Sequence, residues 1–259
     1  MIKYMSHDLI KTTEKIFTKE EYIIDYEYEL LHIKTIDGSH CLTLAISDEI
    51  HIEELDKCNS GGNVLLGLVE KLAKKLKINK ITLFDGSKIK TGCPNISINL
   101  STFRILTMGI SWYNAHGYFS NTFREEEDHN EKIQRMPFIE SMKLAIKCKQ
   151  IIDSSRVSNK FSHEILFSEI EEQPSILDEC TKYISNIQLN TKQYLTELYE
   201  LMDSRFNNSN SEICKLFKLM DKILLYLQCL IKYNSFLEKT IIIGGKSSKK
   251  TKKHKYKCL

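Results

Sequence analysis

A glycine pair set between a strand-like run and an amphipathic helix constrains this chain more than any other feature. The turn Asn59-Ser60-Gly61-Gly62-Asn63 follows a polar strand exit and precedes Val64, Leu65, Leu68, Val69, Leu72, Ala73 and Leu76, spaced three and four apart. Glu70, Lys71, Lys74, Lys75 and Lys77 fall mainly between them. That spacing predicts a helix with one buried face. Lys80-Ile81-Thr82-Leu83-Phe84 is short, apolar and partly β-branched, which suits a strand packed beneath the helix. Together they predict a β-turn-α-β unit. Glycines at such a turn let backbone amides approach a ligand at the positive end of the helix dipole, an arrangement suited to phosphate.

Upstream, Tyr28–Ile36 and Cys41–Ile52 flank Asp37-Gly38, a dipeptide favoured in tight turns, and predict a hairpin. Downstream, Gly86, Gly92 and Pro94 mark the segment Asp85–Asn99 as loop. After it stands Ser111-Trp112-Tyr113-Asn114-Ala115-His116-Gly117-Tyr118-Phe119, an aromatic cluster punctuated by one glycine.

In register, Lys57-Cys58-Asn59-Ser60-Gly61-Gly62-Asn63-Val64-Leu65-Leu66 resembles the acyl-CoA-binding turn of the GNAT superfamily of N-acetyltransferases, Gln/Arg-x-x-Gly-x-Gly/Ala before a Leu-Leu pair. Lys57 stands at the Gln/Arg position, Ser60 at the first glycine and Gly62 at the second, so two of the three depart from the pattern. Tyr113-Asn114-Ala115-His116-Gly117-Tyr118 is similar to the family's Tyr-x-x-x-Gly-Phe signature, while Leu106 replaces its helix asparagine. The resemblance covers about residues 22–120. It implies an α/β (α+β) fold with a GNAT-like mixed sheet and flanking helices, with acetyl-CoA held by Lys57, Ser60, Gly61, Gly62, Asn63 and Val64. It also implies that Tyr113 protonates the departing thiolate, and that amides of the strand before the turn polarise the acyl carbonyl.

Amine acylation needs a neutral amine, a polarised carbonyl and a protonated leaving thiolate. Glu49, His51 and Glu53 alternate along the strand before the turn and share a face, so any of them serves as a candidate base; Glu49 and Glu53 are the carboxylates. The competing reading is a solvated strand face continued by Glu54 and Asp56. For Tyr113 the competing reading is packing among Trp112, Tyr118 and Phe119, and for His116 packing beside Trp112.

Beyond residue 125 the pattern turns helical, with segments expected over 133–152, 175–206 and 211–237; Asn207-Asn208-Ser209-Asn210 interrupts the last two and predicts a helical hairpin. Arg124-Glu125-Glu126-Glu127-Asp128-His129-Asn130 reads as a solvated linker or helix start. The domains expected are 1–125, an acyl-CoA-binding domain; 131–240, a helical domain; and 241–259, a basic tail. Eight cysteines without a CxxC pair or Cys/His ligand spacing read as reduced thiols in the cytoplasm, with no metal site. No run is long and apolar enough to span a membrane, and no signal-peptide pattern is present.

Seven lysines and no acid follow Gly244-Gly245, so the excess basicity behind the formal charge of +3 lies wholly in this tail. Such a segment suits nucleic acid contacted through residues 246–257. Gly-Gly-Lys basic endings also resemble tails of proteins from large nucleocytoplasmic DNA viruses, which implies host cytoplasm or virion. Two functions follow: a divergent acyl-CoA-dependent N-acyltransferase with an unidentified amine acceptor, or an inactive GNAT-like structural or interaction protein of a viral particle.

Overall fold

The structure, a computed structural model, describes residues 7–56, 58, 61–157, 173–186, 188–203 and 211–243. The lysine tail and the Asn207–Asn210 break lie outside the described residues. By contacts the chain divides into two units, 1–83 with 238–259, and 84–237. The fold is mixed α/β, built on a mostly antiparallel six-stranded sheet.

In the first unit, helix α1 (His7–Ile16) precedes four strands, β1 (Tyr22–Glu27), β2 (Leu30–Thr35), β3 (His40–Ile46) and β4 (Ile50–Leu55), paired antiparallel in sequence order. The β1–β2 turn holds Tyr28 and Glu29 both at positive φ, the primed geometry that matches strand twist. At the β2–β3 turn Gly38 takes φ 86°, and Asp37 Oδ1 accepts from the Ser39 amide at 2.9 Å, as the dipeptide predicts. The expected single strand Cys41–Ile52 is instead two. Ser47, Asp48 and Glu49 form the reversal, with the Ser47 amide bonded to the Glu49 carbonyl. Polar residues alone made this turn, so no glycine or proline signalled it.

Helix α2 (Gly62–Leu76) then crosses to β5 (Lys80–Phe84), which lies parallel to β4, as the spacing predicts. Leu65, Leu66, Val69, Leu72 and Ala73 are its buried face; Val64, expected with them, is exposed. The helix stops at Lys77, which adopts φ 60° while the Ile78 amide reaches back to the Ala73 carbonyl, a Schellman closure. The inner sheet face carries Leu31, Ile33, Leu42, Leu44, Ile50, Ile52, Ile81 and Leu83, all buried. In sheet order β8 (Phe236–Thr240) follows β5. Its Lys239 pairs with Glu70 of α2 at 2.6 Å, which ties the helix to the sheet.

In the second unit, the segment expected as loop contains a short antiparallel pair, β6 (Lys88–Lys90) and β7 (Ser97–Asn99). Helices α3 (Leu100–Met108), α4 (Trp112–Ala115), α5 (Phe123–Arg135), α6 (Phe138–Val157), α7 (Gln173–Tyr183), α8 (Thr191–Asp203) and α9 (Ser211–Leu227) follow. Two expected helices are broken. Pro137 forces Met136 into an extended conformation between α5 and α6, and the span expected over 175–206 parts at residues 184–190, where Asn190 starts α8 by accepting from the Gln193 amide. The charge run at 124–130 is the first half of α5, the helix start among the two alternatives read from sequence. Its core gathers Phe138, Met142, Cys180, Tyr194, Leu198, Leu216, Met220 and Leu224, with the Phe138 and Tyr194 rings stacked.

The expectation of wholly reduced cysteines is corrected within this unit. Cys93 and Cys214 form a disulfide, their Cα atoms 5.7 Å apart, joining the β6–β7 connection to the first turn of α9 across 121 residues of sequence. No described helix is long and apolar enough to cross a membrane.

Candidate functional site

Gly61 sits at φ 73°, ψ 149°, a backbone region open essentially to glycine alone. Its amide donates to the Cys58 carbonyl at 3.0 Å, which curls the chain into the helix start. Among the described residues no side chain caps α2, and no acid occupies its first turn. Gly62 is partly exposed, Asn63 and Val64 exposed, so the opening turn presents uncapped amides at the positive end of a fifteen-residue helix. Lys57, Asn59 and Ser60 lie outside the described residues.

The strand leading to this turn carries an irregularity at the expected site. Thr43 pairs with Glu54 and Leu44 with Ile52, so Glu53 is an extra residue on β4, a bulge. On the other side the β4–β5 register covers Ile50–Ile52 against Ile81–Leu83 and goes no further. Glu53 therefore has no residue opposite it in either register. The bulge also corrects the simple alternation read from sequence, because Glu54 now shares the face of His51, and its carboxylate stands 3.7 Å from His40 Nε2.

The structure does bring Glu49, His51 and Glu53 together, through a residue that sequence reasoning passed over. Thr82 of β5, opposite His51 in the register, is fully buried. Its hydroxyl donates to Glu49 Oε1 at 3.4 Å and lies 2.8 Å from His51 Nδ1. A hydroxyl has one proton, so with that donation Thr82 accepts from Nδ1–H, and Nε2 becomes the basic nitrogen of the imidazole. Nε2 stands 4.0 Å from Glu53 Oε2. Glu49 Oε2, in turn, is 3.2 Å from Lys80 Nζ, which also meets Glu238 at 3.3 Å. Glu49 first, and Glu238 after it, raise the Lys80 ammonium above its ordinary range. With its two oxygens engaged by Thr82 and Lys80, Glu49 suits the orienting role and His51 that of base.

A second polar cluster on this sheet had no signal beyond alternation. His32 Nδ1 and His40 Nε2 both meet Thr43 Oγ1, at 3.1 and 2.8 Å, and His40 Nδ1 faces Asp56 Oδ2 at 3.3 Å. Among the described residues no group of three or more His, Cys, Asp or Glu side chains is placed to hold a metal ion.

Tyr113 belongs to the second unit. It lies in the single turn α4, whose start is a capping box: Ser111 Oγ accepts from the Asn114 amide and Asn114 Oδ1 from the Ser111 amide. Gly117 at φ 85° lets the chain fold back so that the Tyr118 amide reaches the Tyr113 carbonyl at 3.1 Å. The Tyr-x-x-x-Gly spacing thus has a local structural cause. Tyr113 is only 7% exposed, packed edge-on against Trp112 and Tyr118. Burial, and secondarily the charge of Asp85, push its phenol well above the usual tyrosine range, which makes it a weak acid. His116 Nδ1 donates to the Trp112 carbonyl at 2.8 Å, beside the indole.

Two buried carboxylates of this unit were invisible to local pattern. Asp85 accepts from the Tyr233 hydroxyl and from the amide and hydroxyl of Ser87. Glu126, within the charge run that opens α5, is 5% exposed and accepts from Ser120 Oγ at 2.7 Å and Thr122 Oγ1 at 2.6 Å.

Comparison with protein-family models, with curated proteins and with solved structures found no match.

Proposed function

We propose that this chain is a divergent acyl-CoA-dependent N-acyltransferase of GNAT-like type acting on an unidentified amine. The observation that carries the reading is the β4–Gly61–α2–β5 crossover. A glycine-only backbone geometry leads into an uncapped helix start, directly after a strand whose bulge and early-ending register leave Glu53 unopposed on both sides. Pyrophosphate oxygens suit the amides of Gly62, Asn63 and Val64, and a thioester carbonyl suits a backbone donor of the bulged strand end. His51, oriented by Thr82, is the proton acceptor for the amine in this reading, with Glu49 and Glu53 around it. Tyr113, in the second unit, is the candidate acid only by the Tyr-x-x-x-Gly resemblance, and a buried phenol with a raised pKa parts with its proton reluctantly. Acetyl-CoA titration by calorimetry tests the reading.

The second reading is an inactive GNAT-like structural or interaction protein of a viral particle, with a nucleic-acid-binding tail. Burial of Tyr113 and the substitutions at Lys57 and Ser60 favour it. A protein that takes no acetyl-CoA but binds DNA through residues 246–257, with an affinity that falls steeply with salt, fits this alternative.

A further inference from the structure

The connection between β6 and β7 is a tight turn with an asparagine at its tip. The Ile96 amide donates to the Cys93 carbonyl at 3.3 Å, and Thr91 Oγ1 accepts from the Cys93 amide at 3.2 Å while donating to the Ile96 carbonyl at 2.8 Å. Pro94 takes the second position of the turn and Asn95, at φ 59°, the third, where a positive φ favours glycine or asparagine. Asn95 is exposed, and among the described residues no hydrogen bond holds its side-chain amide. Ser97, two residues on, opens β7 and is half-buried. Asn95-Ile96-Ser97 is thus an Asn-x-Ser sequence on an exposed turn, the pattern that takes an N-linked oligosaccharide. Turn geometry by itself accounts for an asparagine at this φ, but it does not account for the chemistry beside it. Two residues before Asn95, Cys93 is held in the disulfide to Cys214, a bond that forms and persists in oxidising compartments. The five free cysteines described are buried or half-buried, none of them exposed. A second Asn-x-Ser among the described residues, Asn99-Leu100-Ser101, is built into the fold instead. Asn99 Oδ1 caps α3 by accepting from the Thr102 amide at 2.9 Å and from Ser101 Oγ at 2.8 Å, and Ser101 is buried.

We propose that Asn95 is an acceptor for an N-linked oligosaccharide, in a chain whose Cys93–Cys214 bond forms in the same oxidising compartment. The donor is a lipid-pyrophosphate-linked oligosaccharide, and a membrane-bound transferase of that compartment catalyses the step. The Asn95 side-chain nitrogen attacks the anomeric carbon of the first sugar. An N–C bond forms, the C–O bond to the pyrophosphate breaks, the amide gives up one proton, and the lipid pyrophosphate leaves with the bonding electron pair. Because Asn95 stands exposed at the turn tip with its amide unengaged, the folded second unit accommodates the glycan without breaking a hydrogen bond. The turn itself stays closed through Thr91 and the Cys93 carbonyl. Such maturation sets the chain in an oxidising lumen, not in the reducing cytoplasm expected from its scattered thiols. It is independent of acyl-CoA binding at the Gly61 turn.

The test delivers the full chain to the endoplasmic reticulum lumen of insect cells behind a cleavable leader. The recovered protein is treated with peptide N-glycosidase in heavy-oxygen water, which turns a glycan-bearing asparagine into labelled aspartate, and is then mapped by mass spectrometry. The expected result is label at residue 95 and none at residue 99. The apparent mass before deglycosylation should fall by one glycan in Asn95→Asp and in Ser97→Ala, and Ser97→Thr should keep it. Asn95→Asp suits the turn, since aspartate also accepts a positive φ, so loss of the glycan there is not loss of the fold. An unlabelled Asn95 would overturn the proposal, whichever other asparagine carries a glycan. Mapping of the same sample without reduction is the second readout, with Cys93 expected in its link to Cys214; recovery of both as free thiols would overturn the shared oxidising maturation.

Discussion

The Tyr233 hydroxyl donates to Asp85 Oδ2 across 148 residues of sequence; within the second unit Asp85 is buried and Tyr233 half-buried. The bond holds the segment after β5 to the segment before β8, where the Asp85 amide also donates to the Ser235 carbonyl at 2.8 Å. Burial first, then the Asp85 charge, raise the Tyr233 phenol, so it keeps its proton and remains a donor at neutral pH.

Tyr233→Phe removes that donor and, among the described residues, leaves the buried Asp85 carboxylate served by Ser87. The expected cost is about 1–3 kcal/mol, the range for stranding a buried acceptor. Urea unfolding measures it; a variant as stable as the parent would show that Asp85 is satisfied without Tyr233.

Gly61→Ala should destabilise the protein by about 1–3 kcal/mol, because φ 73° with ψ 149° strains any residue with a Cβ. No atom lies within 4 Å of the added methyl, so backbone strain is the whole effect. Gly62→Ala, at a helical position without positive φ, should be neutral or stabilising by about 0.4–1 kcal/mol. Equal melting temperatures for the two variants would contradict the assigned turn geometry.

How much of this was legible in advance depended on the distance over which the determining contacts act. The α2 periodicity, the Asp37-Gly38 turn and β5 are local patterns, and each was readable from a few adjacent residues. The Ser47–Glu49 reversal was not, since it lacks the residues that force a turn. Glu126 looked solvated because its neighbours are charged, yet Ser120 and Thr122 supply the hydroxyls that let it be buried. Glu49, His51 and Glu53 alternate in the sequence, but the bulge at Glu53 breaks that alternation, and Thr82, which joins Glu49 to His51, comes from the far side of a crossover. Pairings such as Asp85 with Tyr233 and Cys93 with Cys214 have no local signature at all.

Cys41 gives a pH dependence with a definite sign. Burial, and secondarily its neighbour Cys58, push its thiol up to about 12 from an ordinary value of 9.0. Between those values the folded state binds the proton more strongly than the unfolded state does. The resulting stability is present in full below about pH 9 and is lost as pH rises toward 12. Denaturant midpoints of the reduced protein should therefore fall more steeply over this window than those of Cys41→Ala. Parallel slopes would show that the thiol is not held protonated.

Tyr113→Phe keeps the ring and removes only the hydroxyl. If the phenol protonates the leaving thiolate, turnover should fall by about 10²–10⁴-fold with cofactor affinity unchanged. Unaltered turnover would assign Tyr113 to packing with Trp112 and Tyr118.

Calorimetric titration of the intact protein with acetyl-CoA reads the proposed function most directly. Saturable heat of binding with a dissociation constant below millimolar is expected, weakened at least tenfold in Gly61→Ala under conditions where that variant is folded, together with a ligand-dependent rise in melting temperature. No heat and no thermal shift at millimolar acetyl-CoA would contradict the acyl-CoA reading.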